Sequence, residues 1–232
     1  MSKNKILHIT MTRQETVYGL IYLGLQLLVI PDLLQIGNLL LGEPLSSAEL
    51  NCLFFLINFL AVLWIFRRFL KASLSLAKSR MGWTLHSALL GFFLYQITTN
   101  LLSLAIMAVY PGFANVNDSS IASMTAENYS LMAIGTVFLV PVAEELLYRG
   151  VLFQGLYSKS RWGAYIVSAL VFSAIHVVGY IGSFEPALLL ACFLQYLPAG
   201  IFLGWAYVRA DTIVAPILIH MTVNAMGIYA VR

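Results

Sequence analysis

The chain has 232 residues, 60% of them hydrophobic and 10% charged, with a formal net charge of +3 and a mean hydropathy of +0.86. A soluble domain carries roughly 25% charged residues, so this chain lacks the charge to cover a water-facing surface, and the bilayer is its natural solvent. The basic residues gather at the ends of apolar stretches, which argues against nucleic-acid binding, and Cys52 and Cys192 lie inside apolar runs, with no disulfide framework and no Cys-x-x-Cys pair.

A bilayer core takes about 20 apolar residues per helix. Seven stretches qualify, near 16–41, 50–66, 83–109, 129–157, 162–181, 187–208 and 212–230. The fold expected is all-α, a polytopic transmembrane bundle of about seven spans. It is read as one membrane domain over residues 1–232, with a motif-bearing core at about 129–230. The polar start, Met1 to Glu15, precedes an apolar segment without a small-residue cleavage site, so the first span reads as retained. Pro31 beside Asp32 predicts a kink in that span. Ser46 with Glu49 has the spacing of a capping box, which starts the second span at the membrane edge. The segment 67–80 mixes Phe69, Leu70, Leu74 and Leu76 with cations, the pattern of a short interfacial helix or of a solvated basic loop.

Orientation follows from Lys and Arg. Lys3, Lys5 and Arg13, then Arg67, Arg68, Lys71, Lys78 and Arg80, then Lys159 and Arg161, then Arg209 all fall on one side. The opposite loops hold Glu43, Glu49, Asp118, Glu127 and Glu185, and their only cation is the terminal Arg232. The expected location is the cell membrane, with the N-terminus cytoplasmic.

Ionisable groups inside a span cost about 2.5–3.5 kcal/mol each on insertion scales and need a reason to be there. Span four holds Glu144, Glu145 and Arg149; span five holds His176, four residues after Phe172; span seven holds His220 and Asn224. Glu145 and Arg149 are four apart and are expected to pair. Glu144, turned about 100° from Glu145 on a helix, is left for chemistry. Helix counting from the turn near 158–161 puts Glu144 and His176 at matched depth, so both are expected within hydrogen-bond reach in one polar cavity lined by spans four, five and seven and open toward the inner leaflet. His220 reaches that layer only if the span-four/five hairpin projects past the membrane on the inner side. Asn58, Gln96, Asn100 and Gln195 read as packing contacts, and His8 and His86 as interfacial or loop residues.

A carboxylate beside an imidazole can hold a water and take its proton. A second imidazole and an amide can donate to a developing oxyanion. No Ser or Cys is clearly paired with these groups as a nucleophile, so direct water attack on an amide carbonyl is the simplest chemistry. Glu-Glu-x-x-x-Arg at Glu144–Arg149, Phe-x-x-x-His at Phe172–His176 and His-x-x-x-Asn at His220–Asn224, in this order and each in its own span, resemble the three motifs of the CAAX protease and bacteriocin-processing family. That family includes the eukaryotic Ras-converting endopeptidase and the bacterial Abi proteins. The resemblance covers about Leu131 to Asn224.

It implies a glutamate-dependent intramembrane endopeptidase in which Glu144 and His176 activate water and His220 and Asn224 stabilise the oxyanion. Glu145, Arg149 and Phe172 support the site. No cofactor and no metal are expected. A zinc-dependent version with Glu, His and His as ligands stands second, because the dispersed donors lack the spacing of a His-Glu-x-x-His site. The expected partners are the lipid bilayer and a peptide or protein substrate in or at the membrane, and the oligomeric state is left open. Two other classes compete. One is a non-catalytic membrane binding protein, such as a bacteriocin-immunity factor or a sensor-kinase partner. The other is a transporter, against which the absence of internal repeats and broken-helix pairs argues.

Overall fold

The computed structural model describes residues 7–231; Lys3, Lys5 and Arg232, used above for orientation, lie outside them. The chain is a bundle of apolar helices. α1 (Arg13–Leu28) and α2 (Ile30–Leu40) form one stretch bent by 43°. The bend falls where expected, because Pro31 has no N–H to continue the helix across Val29. Ser46 caps α3 (Ser47–Ile65): its hydroxyl accepts from the Glu49 amide while the Glu49 carboxylate accepts from the Ser46 amide. α4 (Arg67–Ser79) is a helix and not a loop. It buries Phe69, Ser73 and Ala77 on one face and leaves Arg67, Arg68, Lys71 and Lys78 exposed.

α5 (Met81–Val109) is followed by the short α6 (Val116–Glu127), whose first amides are capped by the Asn115 side chain. Then come α7 (Tyr129–Tyr157), α8 (Arg161–Ile175), α9 (Pro186–Ala210) and α10 (Val214–Ala230). By length and composition α3, α5, α7, α9 and α8 with its extension to Tyr180 can each cross a membrane, and the bent α1–α2 pair, counted as one span, brings the number to six. α10 is a shorter apolar helix of 17 residues, at the lower limit of about 17 that spans a bilayer core. The seven sequence stretches thus correspond to five long helices, one broken pair and one short helix.

Close packing sets the site's walls. A Cβ on Gly200 of α9 would stand 2.3 Å from the Ala169 Cα of α8, so only glycine allows this approach. A Cβ on Gly91 of α5 would meet the Ile219 side chain of α10 at 2.8 Å. Polar residues join helices where expected: the Tyr22 hydroxyl donates to Asn58 at 2.9 Å, and Gln195 accepts from Asn115 and donates to Ser103.

The Lys- and Arg-bearing turns lie at one end of the bundle. There the Trp83 indole donates to the Arg209 carbonyl and the Thr212 hydroxyl to the Ser73 carbonyl. The chain before α1 is strapped to the same end. Gln154 accepts from the Met11 amide and donates to the Ile9 carbonyl, while His8 meets Asp211 through both its amide and its ring. His8 is therefore an anchoring residue. Its partner Asp211 is buried and ends α9 in the left-handed conformation, with φ of 62°.

Candidate active site

α7 supplies the carboxylates, and it is not a uniform α-helix. Residues Gly135–Leu139 and Glu145–Phe153 are π-helical, a distortion that gathers at functional sites. Pro141 takes part in the first. The Val140 amide bonds to the Gly135 carbonyl, and Pro141 has no amide to offer. The Thr136 carbonyl is thereby left without its helical donor, and the Asn224 side chain donates to it at 2.8 Å. Asn224 thus ties α10 to α7 about two turns before Glu144.

The second π segment holds a fully buried ion pair. Arg149 Nη1 donates to Glu145 Oε1 at 3.0 Å, with both side chains inaccessible to solvent, and Arg149 Nη2 donates to the Ala199 carbonyl at 3.1 Å. The expected Glu145–Arg149 pair is therefore present. His220 enters the same cluster. Its Nδ1 lies 2.9 Å from Glu145 Oε1 and its Nε2 3.9 Å from Glu144 Oε2. The two carboxylates face one imidazole from its two sides, so Glu144 is not turned wholly away from its neighbour. A carboxylate oxygen only accepts, so His220 Nδ1 carries hydrogen in this contact.

Phe172 is the hub. The Arg149 guanidinium lies 4.2 Å from its ring centroid, the His176 ring 4.6 Å and the His220 ring 6.1 Å. The Tyr148 ring meets it edge-on at 5.8 Å. His176 caps the C-terminus of α8, with Nδ1 2.7 Å from the Phe172 carbonyl. That carbonyl accepts, so in the neutral ring Nε2 carries the lone pair and can accept a proton. Among the described residues no hydrogen bond joins Glu144 to His176. A recess of about 40 Å³ beside Glu144 is lined by Gln26, Phe54, Phe55 and Asn58 of α1 and α3 and by Val140 and Ala143 of α7. It has room for water. Glu144 Oε2 is buried and accepts no hydrogen bond from the protein.

Sequence reading missed one partner of the site. Tyr196 of α9 stacks on His176 at 4.2 Å, with 28° between the ring planes, so His176 is held between Phe172 and Tyr196. The Tyr196 hydroxyl donates to Asp118 at 2.7 Å and accepts from Asn117 at 3.0 Å. A chain of contacts thus runs from the α6 end of the bundle to His176, placing that ring toward the end opposite the basic turns. α8 ends at Ile175, so His176 stands at the C-terminal end of that helix. The described residues contain no group of three or more His, Cys, Asp or Glu placed to hold a metal ion.

Residues 126–226 match the family model described as type II CAAX prenyl endopeptidase Rce1-like. The chain is 26% identical over 207 residues to the Bacillus subtilis protein named "Putative membrane peptidase YdiL", covering 85% of this chain and 80% of that one. It is 27% identical over 94 residues to the UPF0177 protein YxdF of Lactococcus lactis, covering 40% of this chain and 46% of that one. It is 26% identical over 102 residues to an uncharacterized 24.3 kDa protein of Escherichia coli, covering 42% and 43%. No solved structure matches the chain. Helices long enough to cross a bilayer and these relatives together support a multi-pass membrane peptidase. The resemblance carried by the three motifs is borne out over residues 126–226, which match the Rce1-like model of type II CAAX prenyl endopeptidases.

Proposed function

We propose that the protein is a glutamate-dependent intramembrane endopeptidase that hydrolyses a peptide bond of a membrane-embedded or membrane-associated substrate. The observation that carries this reading is Glu144: a buried carboxylate oxygen without a protein donor, beside a recess with room for water, inside the segment that matches an endopeptidase family. A water there donates one hydrogen to Glu144 and, when substrate brings the groups together, the other to the His176 lone pair. Catalytic hydrogen bonds commonly tighten only in the substrate complex. The water oxygen attacks the scissile carbonyl carbon and Glu144 takes its proton. Glu144 then returns that proton to the leaving nitrogen as the carbon–nitrogen bond breaks, giving a carboxyl and an amine terminus.

His220 and the second amide hydrogen of Asn224 serve the oxyanion. His220 is held beside both carboxylates, its Nδ1 2.9 Å from Glu145 Oε1 and its Nε2 3.9 Å from Glu144 Oε2. Asn224 acts doubly, since its bond to Thr136 also ties α10 to the helix that carries Glu144. The reading is tested by cataloguing new peptide termini in membranes of cells with and without the chain. New termini in membrane-associated peptides are expected only when the chain is present; identical catalogues would favour the non-catalytic binding protein. Proteolysis is also expected to survive a zinc chelator. Loss on chelation with recovery on stoichiometric zinc would instead support the metallopeptidase version.

We further propose that the basic end, with 67–80, 158–161 and Arg209, faces the cytoplasm, as the Lys and Arg bias requires. A periplasm-active reporter fused near Asn117 should be active, and one active only in the cytoplasm should be silent. The opposite result would reverse the orientation.

A further inference from the structure

We propose that the cleft between the α1 N-terminus and the α3–α4 junction binds the phosphate of an anionic phospholipid headgroup. The cleft has a volume of about 170 Å³ and is lined by Thr12, Gln14, Tyr18, Trp64, Arg67 and Arg68, with Glu15 at its base. Arg67 and Arg68 are exposed, and among the described residues neither has an acidic partner within ion-pair distance. The Arg67 guanidinium sits 5.8 Å from the Trp64 ring and donates to the Trp64 carbonyl at 3.0 Å, which fixes a side chain that lines the cleft. Guanidinium forks suit phosphate oxygens.

Glu15 does not oppose this. One of its oxygens accepts from the Phe69 amide, and the other from the Thr12 amide and hydroxyl. Its charge is spent inside the protein, and the residue is only 5% exposed. The cleft is also at the right depth for a headgroup. Trp64 and Tyr18 are exposed aromatic residues at the end of spans, where such rings mark the membrane interface. α4, which begins at Arg67, presents its cations away from its buried Phe69–Ser73–Ala77 face, as an interfacial helix does. A lipid, whose tails lie along α1 and α3, therefore suits the place better than a free anion.

The test is binding to the purified full-length chain in detergent, read by native mass spectrometry. The probes are phosphatidylglycerol, phosphatidylcholine, inorganic phosphate and glycerol phosphate. Retention of phosphatidylglycerol in preference to phosphatidylcholine is expected from the wild type. Each cation near an anionic headgroup is worth about 1 kcal/mol, so Arg67→Gln with Arg68→Gln should weaken retention roughly thirtyfold. Lys78→Gln with Arg80→Gln, which removes equal charge elsewhere on the basic end, should weaken it far less, because neither residue lines the cleft. Equal retention of the two lipids would overturn the proposal, as would equal weakening by the two double variants. Phosphate or glycerol phosphate binding as tightly as the lipid would also overturn it, in favour of a soluble-anion site.

Discussion

Arg149→Ala is expected to lower the amount of folded protein in the membrane more than any other single change at the site. The guanidinium is fully buried, pairs with the equally buried Glu145, donates to the Ala199 carbonyl and lies on the Phe172 ring. Truncation removes these contacts together and leaves Glu145, among the described residues, with His220 as its partner. Breaking a buried pair from one side typically costs 3–5 kcal/mol, against a total stability of about 5–15 kcal/mol for a domain. Membrane abundance and the thermal melting of the purified protein check this. A variant as abundant and as heat-stable as the wild type would show that the pair carries little of the fold.

Parts of the molecule that depend on local spacing were legible from the sequence. The Ser46–Glu49 cap, the bend before Pro31 and the Glu145–Arg149 pair need only helix periodicity and the missing amide of proline, and all three are present. What depends on departures from that periodicity was not. Counting 1.5 Å per residue through α7 assumes an α-helix, but the segment that carries Glu145 and Arg149 is π-helical, and α8 ends at Ile175. The carboxylates consequently meet His220, while His176 stands at the end of its span between Phe172 and Tyr196. Pro141 was the available signal for the distortion, and the amide of Asn224 was the group able to answer it. The Tyr196–Asp118 and His8–Asp211 contacts join residues 78 and 203 positions apart, which no local pattern encodes.

Glu144→Gln is expected to abolish proteolysis almost completely while leaving the protein in the membrane. The amide keeps the size of the carboxylate but cannot take a proton from water, and general-base catalysis typically contributes 10²–10⁴ in rate. Stability should change little, because Glu144 is not part of the buried Glu145–Arg149 pair and its Oε2 accepts no hydrogen bond from the protein. His176→Ala should approach the same loss, since it removes the lone pair that would hold the water's second hydrogen. The most direct measurement is the yield of new peptide termini, by mass spectrometry of membranes containing wild type or Glu144→Gln at equal abundance. At least a hundredfold fewer termini are expected with Glu144→Gln. Equal yields from the two proteins would contradict a catalytic role for Glu144.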